Sequence, residues 1–211
     1  MDKYGEMGDS LYCYPRTNTL KNKLNIHDEQ ILEQAELELS GLASNLIEYA
    51  EPPYDLQYLK SIHAQLFGDL YDWAGKLRQI DISKGDTRFC NFSRIEIETN
   101  KLLKPLQEKK YFQGLAPQQL IPQLADLYCE LNVIHPFREG NGRTQRIFFE
   151  HLIAHCGYGI DWSRIDSQQQ WIQANIEGFY GNLNPLTLYT TNFTEPLSYQ
   201  DSALLKLPKF P

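Results

Sequence analysis

The chain has 211 residues, of which 42% are hydrophobic and 22% are charged, a balance typical of one globular domain with a genuine core. Its net charge of −7 lacks the basic excess of nucleic-acid-binding domains, so direct nucleic-acid binding is not expected. The sequence contains no apolar run of about 18 residues and no secretory signal at its start, which argues against a membrane association. The four cysteines show no paired metal-binding spacing, so reduced thiols in the cytoplasm are expected.

Helical periodicity dominates the first part of the chain. A helix over about 27–50 is predicted by apolar side chains three or four positions apart, namely Ile31, Ala35, Leu39, Leu42 and Leu46. Glu51-Pro52-Pro53 would end it. The same spacing from Leu56 to Trp73 predicts a second helix with His63 on its apolar stripe. A histidine there is more often hydrogen-bonded in the core than catalytic.

A β-hairpin is predicted over residues 79–92, where apolar and polar residues alternate on both sides of a turn. The turn signal is Lys84-Gly85-Asp86, which is followed by Thr87. This hairpin is the only β-structure that the sequence predicts.

Beyond the hairpin the pattern predicts helices alone, which begin near Ser93, Pro117, Gly142, Ser167 and Pro185. The expected fold class is therefore mainly α, a helical bundle with one hairpin. A single domain is expected over 1–195, with its core over about 55–190 and an N-terminal leader and helix over 11–50. Prolines in the last residues predict a loosely ordered tail over 196–211.

The most informative segment runs from His135 to Arg146, with the sequence His-Pro-Phe-Arg-Glu-Gly-Asn-Gly-Arg-Thr-Gln-Arg. Its Gly-Asn-Gly run opens a helix, and a helix start presents unpaired N–H groups and a positive dipole end. Arg143 and Arg146 lie three residues apart in that first turn, where two cations are unfavourable unless an anion binds there. Small residues also allow a phosphate to approach the backbone closely.

Two more side chains of this segment suit phosphate chemistry. Glu139 is the one carboxylate beside the helix start, and it suits a hard divalent cation that is also coordinated by phosphates. His135 can accept a proton near neutral pH. The segment therefore predicts a site for a nucleotide, a metal and a base. The alternative is an ordinary turn with surface arginines. The known phosphate-binding motifs do not decide between the two interpretations, because Gln145 breaks the pattern G-x-G-x-x-G.

The segment is identical to the signature of the Fic domain family, His-Pro-Phe-x-Glu-Gly-Asn-Gly-Arg-x-x-Arg. Residues 59–78, with Tyr71-Asp72-Trp73-Ala74-Gly75-x-x-Arg78, resemble a second stretch of that family, and residues 171–186 resemble its closing helices. Residues 14–26 are similar to the leader of the small stand-alone Fic toxins of bacteria. The resemblance covers about residues 11–190 and implies a Fic-fold bundle whose hairpin is a flap beside the active-site loop.

The resemblance also implies a reaction. Most characterised Fic domains are protein adenylyltransferases, which transfer AMP from ATP to a hydroxyl side chain of a target protein and release pyrophosphate. On this basis His135 would be the general base that deprotonates the hydroxyl. Phe137 would be an apolar anchor of the loop, and Glu139 would bind Mg²⁺ between the α- and β-phosphates.

The phosphate-binding roles follow from the same resemblance. Gly140, Asn141 and Gly142 would form the anion hole around the α- and β-phosphates. Arg143 would help to fix the β- and γ-phosphates, and Arg146 would bind the γ-phosphate.

The flap has two roles in the family. Its turn, Lys84, Gly85, Asp86 and Thr87, resembles the element that lines the nucleotide pocket, although ordinary turn chemistry explains Lys84 and Asp86 equally well. The flap over 79–92 would also dock the target protein as an added strand. Toxins of this kind modify subunits of type II topoisomerases, DNA gyrase or topoisomerase IV, but no residue here identifies the target.

Two other functions remain open for the same motif. The related Doc toxins carry a lysine in the anion hole and phosphorylate their target, whereas Gly142 leaves that position open and favours AMP transfer. A non-catalytic partner-binding module is the other alternative, and the intact His135 and Glu139 argue against it.

Fic proteins are commonly held inactive by a helix with the pattern [Ser/Thr]-x-x-x-Glu-[Gly/Asn]. In this chain Glu177-Gly178 comes nearest, but Gln173 stands where the hydroxyl residue is required. We therefore expect a small antitoxin to supply the inhibitory Glu in trans, and the chain to act as the toxin of the pair. Self-inhibition through Glu177 is the alternative.

Overall fold

The computed structural model describes residues 9–85, 87–165 and 167–196. Its α-helices are α1 (Glu29–Ser44), α2 (Leu56–Phe67), α3 (Ile95–Glu108), α4 (Pro117–Ile134), α5 (Asn141–His155), α6 (Gln168–Phe179) and α7 (Asn184–Phe193). Strands β1 (Ser83–Lys84) and β2 (Thr87–Arg88) form one antiparallel pair, and β3 (Tyr158–Ile160) and β4 (Thr194–Pro196) form another. The predicted class, a helical bundle with a hairpin, is confirmed. No helix in these ranges is long and apolar enough to cross a bilayer.

The core lies where α2 packs on α5 and α5 packs on α4. The side chains that fill it are almost fully buried, and they include Leu59, Ile62, Leu120, Leu124, Ile147, Phe148 and Leu152. Burying each of these stabilises the fold by roughly 1.5–3 kcal/mol. The predicted starts of the later helices are confirmed, because Pro117 is the first residue of α4 and the Ser167 side chain caps α6.

Helix α1 differs from its prediction in both length and orientation. It begins after the capping residue Asp28 and ends at Ser44, well before the prolines that were expected to end it. The predicted apolar face is wrong, because Ile31 and Leu42 are 58% and 66% exposed. The buried face instead carries Leu32, Glu36, Ser40 and Ser44, so three of its four residues are polar.

Helix α2 also ends earlier than its apolar spacing suggests. It stops at Phe67, with Gly68 as its C-cap, and Leu70 and Trp73 lie in the turns that follow. Leu70 is nevertheless 1% exposed, so the apolar spacing correctly marked a buried residue outside the helix.

The β-structure is the other departure from expectation. The flap hairpin is shorter than predicted, with two residues in each strand, and Lys84 lies in β1 rather than in the turn. The pair β3–β4 was not predicted, and it includes Pro196, which had been assigned to the loose tail. Residues 197–211 and Asp86 lie outside the described ranges.

Candidate active site

The predicted active-site loop connects α4 to α5. Helix α4 ends at His135, whose backbone is left-handed with φ 49° and ψ 65°, and this conformation turns the chain into the loop. A left-handed non-glycine residue costs on the order of 1–3 kcal/mol, so its surroundings must hold it. The His135 N–H donates to the Leu131 carbonyl at 3.1 Å, and the His135 carbonyl accepts a hydrogen bond from Arg78 Nε at 2.9 Å.

Arg78 joins this loop to the flap. Its guanidinium is 2% exposed and also donates to the carbonyls of Ile80, at 2.6 Å, Ile134, at 3.3 Å, and Cys90. Burial lowers the pKa of Arg78 to about 10, so it remains charged at neutral pH. The sequence analysis gave Arg78 no role, because its acceptors are backbone carbonyls from two distant segments.

The interior of the loop is closed by reciprocal hydrogen bonds. The Phe137 N–H donates to Asn141 Oδ1, and Asn141 Nδ2 donates to the Phe137 carbonyl, both at 2.8 Å. The Phe137 ring stacks on His63, with 3.9 Å between ring centroids, and is 1% exposed. Phe137 is therefore an apolar anchor, as expected, and the Asn141 side chain holds the shape of the loop.

His63 of α2 contacts the loop through a hydrogen bond and a ring stack. Its Nδ1 accepts the Gly75 N–H at 2.8 Å, so the ring proton is on Nε2, which donates to the Glu139 carbonyl at 3.0 Å. Burial lowers the pKa of His63 to about 3, which keeps the ring neutral. The prediction of a hydrogen-bonded core histidine is confirmed.

The start of α5 is shaped to receive an anion. Gly140 has φ +78°, and a Cβ on it would lie 2.3 Å from the Phe67 ring, so only glycine fits there. No side chain in the described part of the chain caps this helix, and first-turn N–H groups have no intrahelical acceptor. Gly142 is exposed, and a Cβ on it would meet no heavy atom within 4 Å.

A cavity of about 210 Å³ opens beside this helix start. Its lining combines the flap, the end of α4, Gly142 and one face of α6, with side chains that include Lys84, Thr87, Phe89, Tyr128, Asn132, His135, Trp171, Ile172, Asn175, Ile176 and Phe179. The structure thus brings Lys84 and Thr87 to the predicted nucleotide pocket. Gly85 lies at the flap turn with φ +57° and is not part of this lining. The α6 residues were missed, since the sequence analysis assigned that helix only a capping residue and a family resemblance, and no local pattern shows that it faces this cavity.

The His135 ring is held in one tautomer and one charge state. Its Nδ1 lies 3.0 Å from the Asn132 carbonyl, which can only accept, so Nδ1 carries the proton and Nε2 carries a lone pair. The ring stacks on Phe89 of the flap, with 3.9 Å between centroids and 17° between planes. Burial lowers the pKa of His135 to about 3, helped by the positive charges of Arg78 and Lys84.

The carboxylate of Glu139 lies on a second cavity, of about 280 Å³, which α1 also lines. Its Oε1 accepts the Gly140 N–H at 2.9 Å and lies 3.8 Å from Arg143 Nη2. The Arg143 guanidinium donates to Ser40 Oγ at 2.8 Å and pairs with Glu36, both on α1. The contact of Arg143 with the β- and γ-phosphates stays a prediction.

Arg146 lies one turn further along α5, close to Tyr128, which lines the cavity of about 210 Å³. Burial lowers the pKa of its guanidinium, and the like charge of Arg143 acts in the same direction. A bound anion would relieve both effects.

Arg138 was also missed by the sequence analysis. It is fully buried inside the loop, and its Nε forms a 3.0 Å ion pair with Asp9, which lies just before the N-terminal leader. The guanidinium also lies 5.8 Å from the centre of the Tyr12 ring. The leader therefore helps to hold the loop, a link across more than a hundred residues that no local pattern reveals.

Comparison with known proteins identifies the same signature. The sequence profile of the Fic/DOC family matches residues 53–153. The "Probable protein adenylyltransferase Fic" of Salmonella typhimurium is 47% identical over 185 residues, which cover 88% of this chain and 92% of that protein. Among solved structures, BepC of Bartonella tribocorum with bound AMPPNP has a TM-score of 0.81 and 31% identity, covering 89% of this chain and 97% of BepC. A Bartonella quintana Fic domain with bound ADP has a TM-score of 0.82 and 31% identity, and the match covers 89% of this chain and 95% of that domain.

Proposed function

This chain belongs to the Fic/DOC family, and we propose that it transfers AMP from ATP to a hydroxyl side chain of a target protein. The observation that carries this proposal is the state of His135. Its neutral ring carries the lone pair on Nε2, and His135 lines a cavity that adjoins the uncapped start of α5. A general base and an anion-binding helix terminus are therefore placed together.

The reaction proposed is an in-line displacement at the α-phosphorus. The target hydroxyl oxygen attacks that phosphorus, and His135 Nε2 takes the hydroxyl proton. The bond from the α-phosphorus to the bridging oxygen breaks, and pyrophosphate leaves. N–H groups of Asn141 and Gly142 stabilise negative charge on the phosphates, and Arg146 fixes the γ-phosphate. Holding the reactants in line contributes much of the rate.

The nucleotide base fits the cavity between the flap and α6. Phe89, Ile172 and Ile176 offer apolar surface there, and Asn175 offers an amide that can both donate and accept. The AMPPNP and ADP bound to the two Bartonella relatives support an adenine nucleotide as the occupant.

Glu139 fits the role of a magnesium ligand. One carboxylate beside a phosphate site is the usual protein contribution to Mg²⁺, because this ion keeps several waters and binds the phosphates directly. The Glu139 carboxylate lies at the start of α5 and is 88% buried, with Arg143 at 3.8 Å rather than in direct contact. When bound, the ion would neutralise charge on the phosphates.

Transfer of the γ-phosphate is the rival reaction, and the open space at Gly142 favours AMP transfer over it. The two are separated by incubating the chain and a cell lysate with ATP labelled at the α- or the γ-phosphate. AMP transfer predicts that only the α label enters protein. Labelling by γ alone would establish phosphorylation instead.

The target protein is proposed to dock on the flap. Ser83, Lys84 and Arg88 of this short hairpin are exposed, so the edge of β1–β2 can accept an extended segment of the target by strand addition. A type II topoisomerase subunit is the proposed class of target. Intact mass spectrometry of co-expressed DNA gyrase and topoisomerase IV subunits would identify a modified one by its added AMP.

We also propose that a small antitoxin supplies the inhibitory Glu and that this chain is the toxin. The internal candidate, Glu177, is engaged locally, since its carboxylate accepts hydrogen bonds from Asn182 at 2.7 Å and Gln173 at 3.4 Å. Glu177→Gly should therefore leave automodification and growth arrest close to those of the unchanged chain. Strong activation by this substitution would show that the inhibitor is built in.

A further inference from the structure

An acidic residue on α1 lies at the centre of the active-site contacts. Glu36 is 7% exposed, and it stands outside residues 53–153, the part of the chain that matches the family profile. Its carboxylate accepts a hydrogen bond from the Tyr71 hydroxyl at 2.6 Å and pairs with Arg143. A polar residue on the buried face of a helix needs such partners, and here the partner belongs to the catalytic motif.

Arg143 lies between two carboxylates, Glu36 and Glu139, which are at different distances from its guanidinium. Its Nη2 contacts Glu36 directly, whereas Glu139 Oε1 is 3.8 Å from the same nitrogen. Ser40 and the Phe67 ring, whose centroid lies 4.8 Å from the guanidinium carbon, complete the surroundings of Arg143. The guanidinium is therefore held by α1, and its Nη2 stays 3.8 Å from Glu139 Oε1.

We propose that Glu36 is a positioning residue that reserves Glu139 for the divalent cation by holding Arg143 away from it. This inference rests on the proposed function, since it assumes that Glu139 binds a metal with the nucleotide. Without the charge of Glu36, a largely buried guanidinium would lack its counterion, which is strongly unfavourable. Its nearest remaining carboxylate is Glu139, and a direct ion pair there would compete with the metal for Oε1.

The test measures metal binding without any transfer. Mn²⁺ is titrated at saturating AMPPNP, and its Kd is followed by electron paramagnetic resonance. Glu36→Gln should weaken Mn²⁺ binding by about tenfold, the usual scale for residues that orient a metal ligand. Glu36→Asp, which keeps the charge, should retain most of the affinity. The matched control is Glu38→Gln, because Glu38 is exposed on the same helix and should leave the Kd unchanged.

The double variant Glu36→Gln with Arg143→Gln separates this role from a structural one. It removes the competing cation as well, so its Mn²⁺ affinity should lie within about threefold of that of Arg143→Gln alone, a reference that shares the loss of any Arg143 contact with the phosphates. Removing both partners also avoids an unpaired buried charge, which keeps the test open if Glu36→Gln alone does not fold. The inference would be overturned by a double variant that binds Mn²⁺ about tenfold more weakly than Arg143→Gln, by a Glu36→Gln variant whose Mn²⁺ Kd is unchanged, or by an unchanged chain that binds no Mn²⁺.

These results are independent of the proposed reaction. If the unchanged chain transfers no AMP but binds Mn²⁺ with AMPPNP, the proposed function fails while the role of Glu36 can still be measured. If transfer is observed, the Mg²⁺ concentration for half-maximal rate should rise in Glu36→Gln by the same factor as the Mn²⁺ Kd.

Discussion

At the scale of single residues, a hydrogen bond and a buried, positively charged environment both suit His135 to base catalysis. The Asn132 carbonyl places the proton on Nδ1, and this leaves the lone pair on Nε2. Burial and the charges of Arg78 and Lys84 keep the ring neutral by lowering the pKa of His135 to about 3. A histidine with its ordinary pKa near 6.5 would be partly protonated at neutral pH. The tautomer and charge state of His135 therefore suit the role of base that is proposed for it.

This pKa predicts the pH dependence of the reaction. The neutral base is lost only as the pH falls through the pKa of folded His135, about 3. We therefore expect kcat/KM for AMP transfer to stay nearly constant from pH 8 down to about pH 5, since the acid limb of this profile reports the free enzyme. Initial rates with a defined target protein check this expectation. An acid limb with a midpoint near 6.5 would contradict the buried, neutral state of His135.

At the scale of elements, the shape of the loop depends on Gly140 more than on its other glycines. Replacing it by Ala should destabilise the protein by about 2–4 kcal/mol, because a positive φ is combined with a Cβ placed 2.3 Å from the Phe67 ring. Gly85 is a matched control, since its φ is +57° but a Cβ there meets nothing within 4 Å. Gly85→Ala should cost only about 1 kcal/mol. Urea unfolding of both variants measures the difference, and equal losses would refute the role of the Phe67 contact.

The elements also show what local patterns can predict. Helices α4 and α5 form where their apolar spacing predicts, because Leu120, Leu124, Ile147, Phe148 and Leu152 are buried against neighbouring helices. Helix α1 does not, because its buried face carries Glu36 and Ser40, whose partner Arg143 lies about a hundred residues away. The pair β3–β4 escapes prediction for the same reason, since it joins strands that are separated by two helices.

The site residues divide in the same way, into those that one local segment predicts and those that come from distant segments. The motif identified His135, Glu139 and the glycines around α5, because they form one continuous segment. Arg78, Arg138 and the lining residues of α6 come from segments far apart in the chain. Their roles depend on contacts that form only when the bundle is assembled.

At the scale of the whole molecule, buried titratable groups link stability to pH. Burial lowers the pKa of His63 and His135 to about 3 and of His151 to about 4, below the unfolded value near 6.5. Their contribution to stability is complete above pH 6.5 and is lost as the pH falls toward those values. Burial raises the pKa of Glu150 to about 8, so its contribution is instead lost as the pH rises from about 4.5 toward 8.

These opposing shifts predict a moderate loss of stability in mild acid. Near pH 5.5 unfolding should take up about 1.8 protons, so the free energy of unfolding should fall by about 2.4 kcal/mol per pH unit on acidification. Glu150→Gln removes the opposing carboxyl and should make the fall steeper, by about 1.4 kcal/mol per pH unit. Chemical unfolding between pH 5 and 6.5 tests both slopes. A stability that does not change over this range would show that the histidines are not buried in their neutral form.

The most direct test of the proposed reaction is the variant His135→Ala, which removes the proposed base and keeps the helix start that is proposed to bind the phosphates. Because the base acts on the target hydroxyl and not on ATP, the Kd for ATP from calorimetry should change by less than about threefold. Transfer of AMP to the target should fall by at least about a hundredfold, the usual contribution of a positioned base. An active His135→Ala variant with unchanged ATP affinity would contradict the assignment of His135 as the base.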